Sequence, residues 1–256
     1  MREIEAVYTV WLREMLRYVR EKSRMIGSLA MPIFWLLIFG SSIRTSIDVG
    51  VDYTSFIAPG IITMALMFNS IFSGISVIWD RELGFMKEML AAPISRLSIV
   101  AGKALGGATT ALIQATFMLL LIFGIKSFAS EYFIAVKMDA LVFLMMIPMM
   151  VLIALGLVGL GIAIASRLDT LEGFGLIMQF VIMPMFFLSG ALFPINNLPN
   201  SIRIVTYLDP MTYGVEMLRS ILIGFSSMSI ILSFSVVLIF SCSMLLIGAY
   251  LFNKRS

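Results

Sequence analysis

Six apolar runs leave this chain few ways to fold, because each is close to the roughly 20 residues that an α-helix needs to cross a hydrocarbon core of about 30 Å. They occupy residues 25–43, 56–79, 97–125, 140–165, 174–193 and 229–252. Within hydrocarbon the backbone polar groups must be paired inside the segment, which restricts such runs to helices. The expected fold is therefore all-α: a polytopic membrane protein with six transmembrane helices. The mean hydropathy of +1.03 over 256 residues places the chain in the same class.

Composition then removes whole classes of chemistry. Histidine is absent, and the single cysteine, Cys242, lies in the last apolar run. The commonest general base, the commonest metal ligand and any intrachain disulfide are thereby excluded. A sequence pI near 9.1 would point to nucleic acid in a soluble protein, but here the basic residues follow membrane topology. With both termini cytoplasmic, 13 of the 18 Lys and Arg fall on the inner side, and Arg44, Lys126, Lys137, Arg203 and Arg219 fall outside. That asymmetry predicts a multi-pass protein of the cell membrane with its N and C termini inside and no nucleic-acid partner.

Residues 1–24 run too far in charge, without a small-residue cleavage site, for a signal peptide. At 100° per residue Ile4, Val7, Tyr8, Trp11, Met15, Tyr18 and Val19 gather on one side, and Arg13, Arg17, Arg20 and Arg24 form a stripe on the other. This pattern predicts an amphipathic helix lying along the bilayer, aromatic side at the acyl boundary and arginines toward the cytoplasm. The stripe is either a solvated face, assisted by Glu14 and Glu21, or a docking surface. The remainder, 25–256, reads as one membrane domain.

Between the second and third runs lies a charged island, Asp80 to Lys103. It predicts a short helix over about 81–91, closed by Pro93, with Lys103 snorkelling from the first turn of the next span. A helix this short has to lie on the membrane surface or dock on another protein. After the fifth run, residues 194–224 are too polar to span and too apolar for a free loop. Two pieces that begin at Pro199 and Pro210 predict an extracellular re-entrant hairpin between helices 5 and 6. Glu216 and Arg219, three apart, can pair, either as a structural ion pair or as part of a relay. The small residues Gly156, Gly159, Gly161, Ala163 and Ala165 predict close helix approach within the chain.

No phosphate-binding loop is present: Gly102-Lys103 has Leu97 where the first glycine of that motif would stand, and Ala104 follows. The middles of the runs carry neutral polar groups rather than acids. Of these, Asn69, Ser73, Thr110, Gln114 and Gln179 are candidates to line a pathway, and interhelical hydrogen bonding explains them equally well. A chain without intramembrane charge or nucleotide site draws its energy from elsewhere. A membrane scaffold and a passive channel are the alternatives.

Two motifs carry a resemblance. Glu82-x-Gly84-x-x-x-Glu88 with Pro93 and Gly102-Lys103 resembles the loop between the second and third spans of ABC-2 type exporter permeases. Ser189-Gly190, Phe193-Pro194, Leu198-Pro199, Asp209-Pro210, Glu216 and Leu218-Arg219 are similar to that family's extracellular re-entrant signature, which brings Gly190, Pro194, Pro199, Pro210, Glu216 and Arg219 together. Phe85 and Ala92 stand where the family usually has Thr. The resemblance implies a non-enzymatic permease subunit that binds no cofactor itself, pairs with a second copy, and works with two copies of a separate ATP-binding subunit that holds ATP and Mg. It further implies export of a hydrophobic or amphiphilic cargo such as a drug, lipid, glycolipid or polysaccharide. The coupling helix that fits the ATPase would then use Glu82, Gly84, Met86, Lys87, Glu88, Leu90 and Pro93.

Overall fold

A computed structural model describes residues 2–42, 52–128, 136–137 and 139–255, and among them every regular element is helical. The connection that holds Arg44, and the side chain of Arg24, lie outside the described residues. In chain order the helices are α1 (Arg2–Arg20), α2 (Lys22–Ser42), α3 (Tyr53–Phe72), α4 (Ile75–Glu82), α5 (Phe85–Ala91) and α6 (Arg96–Phe128). They continue with α7 (Ala140–Ala165), α8 (Leu171–Leu188), α9 (Asn200–Leu208), α10 (Pro210–Leu222) and α11 (Ile230–Arg255).

Among the described residues five segments are each long and apolar enough to cross a membrane, with α3 and α4 counted as one, and α1–α2, bent by 70°, makes a sixth as a pair. The 70° bend sets α1 apart from α2. Expected and observed bounds differ by a few residues except at two places. The fifth run stops at Leu188 rather than 193, because Gly190 turns into the left-handed region at φ 70° and Ser189 Oγ accepts the Ala191 N–H. The island helix does not begin at 81: α4 runs through Arg81 and Glu82, and Gly84 at φ 80° breaks the chain before α5 starts. Only glycine adopts that φ without strain, so the periodic pattern across 81–91 is cut in two.

The second span, α3–α4, is the centre of the molecule, nearly all of α3 being buried. Its break at Ser73–Gly74 carries i→i+3 hydrogen bonds, Gly74 N–H to Ile71 O and Ser76 N–H to Ser73 O. A Cβ at Gly74 would lie 2.5 Å from the Gly161 backbone of α7, and one at Gly159 would lie 2.7 Å from Leu245 N of α11. The small-residue patch of α7 is thus used in packing within the chain, as its spacing predicts.

Between α8 and α11 the chain folds back on itself, α9 and α10 meeting at Asp209. Arg219, 1% exposed, lies 3.9 Å over the Phe56 ring and donates to Gly190 O at 2.9 Å and Phe56 O at 3.3 Å. It also pairs with Glu216, whose other oxygen accepts from Ser226 Oγ at 2.9 Å. Backbone carbonyls and Ser226 thus surround the pair, as a structural ion pair requires. Pro210 opens α10 at its first turn, and Pro194 and Pro199 flank a short 3₁₀ turn at Ile195–Asn197.

Candidate functional site at the α1–α6 junction

The site is built where α1 crosses α6. Gly102 and Gly106, four residues apart on one face of α6, let α1 settle onto it: a Cβ at Gly102 would lie 2.6 Å from Val10 Cβ, and one at Gly106 2.7 Å from Glu14 Cβ. At its start α1 is tied by Glu3, which accepts from Ser95 N–H at 3.1 Å and Ser95 Oγ at 2.8 Å at the head of α6. Hydrogen bonds from Ser98 and then Ser95 hold the Glu3 carboxyl below the ordinary carboxylate range. Midway, Trp11 Nε1 donates to Thr109 Oγ1 at 3.1 Å.

This docking turns the basic side of α1 inward, onto one carboxylate. Asp80, fully buried near the end of α4, receives Arg13 on both oxygens, Arg17 at 3.3 Å, and Lys103 of α6. Lys103, 3% exposed, also donates to Ser76 Oγ at 3.1 Å and pairs with Glu14 at 3.2 Å. Three cations and two carboxylates therefore join α1, α4 and α6 in one network. Low dielectric strengthens such contacts and makes each unpaired member costly.

Two expectations are corrected here. Lys103 does not snorkel to the interface, because a carboxylate inside the bundle holds it. Arg13 and Arg17 do not form a solvated face, being half-buried on Asp80; of the described stripe Arg20 alone is exposed, and the exposed apolar side of α1 is a row of Ile4, Tyr8, Leu12, Leu16 and Val19.

From the network, contacts lead outward to α5. The Arg13 guanidinium lies 5.2 Å from the Phe85 ring centroid and donates to Met89 Sδ, and Arg17 lies 5.5 Å from the Trp79 ring. Met86 is buried and Leu90 half-buried, so these two anchor α5 rather than present it, whereas Glu82, Lys87, Glu88 and Pro93 are exposed with Leu83 and Phe85. Between α1 and α5 runs a groove of about 560 Å³, walled by Val10, Phe85, Met89 and Ile94, with Glu5 and Glu88 among its lining residues. Arg81 extends the linkage to the turn after α7, donating to Leu168 O at 3.1 Å.

The neutral polar residues of the spans do not converge. Asn69 lines a cleft of about 390 Å³ between α2 and the α3–α4 span, and Ser73 and Thr110 flank the charge network beside Glu14 and Arg17. Gln114 donates to Ser28 Oγ and ties α6 to α2, and Gln179 is exposed on α8. Sequence reasoning missed the role of Asp80 and misplaced Lys103; the signal was an acid directly at the end of the second apolar run and a base within the first turns of the third.

The architecture is that of an all-helical polytopic membrane protein with an N-terminal helix packed on α6 and a helical hairpin between α8 and α11. The family described as ABC-2 type transporter matches residues 5–223, and the chain belongs to it. Similarity extends to Nodulation protein J of Rhizobium leguminosarum bv. viciae, 26% identical over 251 residues that cover 96% of this chain and 93% of that one. Inner membrane transport permease YadH of Escherichia coli K12 is 25% identical over 249 residues, 94% and 92% of the two chains. The transport permease ycf38 of Cyanophora paradoxa is 26% identical over 222 residues, 84% and 73%. The chain is thus a membrane transport permease.

Proposed function

We propose that this permease is the membrane half of an ATP-driven exporter in the cell membrane, moving a hydrophobic or amphiphilic cargo outward with its termini in the cytoplasm. Two copies of it work with two copies of a separate ATP-binding subunit. The observation that carries the reading is the placement of α5: a small exposed helix with free acidic and apolar groups, fixed through Arg13 and Asp80 to the end of the most buried span. Movement imposed on α5 passes into α4 and meets the Ser73–Gly74 break, where the i→i+3 turn offers a place to bend.

On this reading Glu82, Lys87, Glu88 and Pro93 contact the ATPase, Gly84 sets the angle of α5, and Met86 and Leu90 hold it. ATP and Mg belong to the partner chain. Losing one member of a desolvated charge pair across an interface typically costs about 2–5 kcal/mol. Glu88→Lys is therefore expected to leave the permease inserted at wild-type level while ATP-dependent cargo uptake into inside-out vesicles falls at least tenfold. Normal uptake by Glu88→Lys, at equal expression and with normal recovery of the ATPase, would remove Glu88 from the coupling surface.

A further inference from the structure

At the vertex of the outer hairpin, the two oxygens of Asp209 have unlike surroundings. Oδ1 accepts the Met211 N–H at 2.9 Å and caps α10. Oδ2 is buried without a hydrogen-bond partner, and the residue as a whole is 8% exposed. Asparagine and serine cap helices as well as aspartate does, so the cap alone does not call for a charge at this position. A carboxylate away from water and without a partner is strongly unfavourable, and Arg219, the buried cation of the same hairpin, is turned onto Glu216.

Beside Asp209 lies a cleft of about 370 Å³, bounded by Val181 and Met185 of α8, Val205 of α9, and Phe240 and Met244 of α11. Among the described residues of its lining Asp209 is the one that is charged. An apolar pocket of about 300–1,000 Å³ with a single orienting polar group is the usual form of a small-molecule site. Val181, Met185, Phe240 and Met244 all lie inside segments long and apolar enough to span a membrane, which gives an amphiphile dissolved in a bilayer a lateral route to the cleft.

We infer that this cleft binds an amphiphile bearing a protonated amine, the ammonium donating to Asp209 Oδ2 and the hydrocarbon chain lying along Met185, Phe240 and Met244. The claim goes beyond the exporter reading and does not rest on it, since it concerns binding by this chain alone.

The test is equilibrium binding of radiolabelled dodecylamine to the full chain in nanodiscs, with the signal of empty nanodiscs subtracted. Saturable binding is expected, displaced by unlabelled dodecylamine but not by equal dodecanol or dodecanoate. Asp209→Asn preserves the cap and removes the charge, and Val205→Trp preserves the carboxylate and fills the cleft; each is expected to weaken binding at least tenfold. The inference is overturned by an absence of saturable binding to the unaltered chain, by equal displacement with dodecanol, or by unchanged affinity in Val205→Trp. A Val205→Trp variant whose particle mass changes while amine binding does not would instead assign the cleft to a second copy of the chain.

Discussion

Two buried charge clusters at opposite ends of the spans, outer and inner on the proposed orientation, solve the same problem in different ways. The outer pair, Glu216 and Arg219, sits three residues apart on one helix, and carbonyls of Phe56 and Gly190 together with Ser226 occupy its remaining bonds. The inner cluster has its members on three helices, with Asp80 on α4, Arg13, Glu14 and Arg17 on α1, and Lys103 on α6. A local pair fixes one helix in place, and its loss disturbs one helix. A distributed network holds separate elements together, so it is the one suited to carrying a displacement from α5 into the spans.

The comparison breaks most readily at Asp80. Asp80→Asn leaves Lys103 and two arginines without their shared counter-charge, and removing one partner of a buried ion pair costs about 3–5 kcal/mol. Thermal unfolding of the purified protein should show this as the largest drop among single variants, accompanied by new protease cleavage in α1. Arg219→Gln comes next. Glu216 then keeps its bonds from Ser226 and the Ser227 N–H, so it is not orphaned and the loss is about 1.5–3 kcal/mol, nearer that of a hydrogen bond to a charged group than that of an uncompensated buried charge, and α1 should keep its protection. A smaller effect is expected from Gly102→Ala, which forces α1 off α6 through Val10. Overpacking of this kind costs about 1–3 kcal/mol, and the reading is a lowered unfolding midpoint with the Arg219 region unaffected.

The smallest effect concerns the Glu3 tie between α1 and α6. Its carboxyl is held below the ordinary range in the folded chain, so the tie contributes above the unfolded value near 4.3 and is lost as pH falls through the folded one. Glu3→Gln should therefore lower the midpoint slightly at pH 7, with the difference vanishing in acid; a constant difference across pH 3–7 would remove the charge from the account.

How much of this was legible in the sequence follows from what determines each feature. The spans are set by apolar length, and their order, the bent α1–α2 pair and the hairpin prolines at 199 and 210 are all visible as composition and punctuation. The break at Gly84 was not, because Leu83, Met86 and Leu90 keep helical spacing on both sides of it and only the backbone reveals the left-handed turn. Asp80 and Glu82 look alike as acids two residues apart. Burial alone separates them, and it depends on α1 being able to approach α6 at Gly102 and Gly106, a tertiary contact between segments about 90 residues apart in sequence. Likewise a lysine near a span end satisfies the pattern for snorkelling until a carboxylate on the neighbouring helix is placed beside it.

The claim that Asp80 and Lys103 belong to one network joining α1, α4 and α6 is tested most directly by a double-mutant cycle with Asp80→Asn and Lys103→Met, measured as unfolding free energy of the purified chain. Contacting charges in one network couple, whereas independent sites add to within about 0.5 kcal/mol. The account predicts that the double variant is at least as stable as Asp80→Asn alone, because removing Lys103 relieves a buried cation that has lost its main partner. Losses that simply add would contradict it.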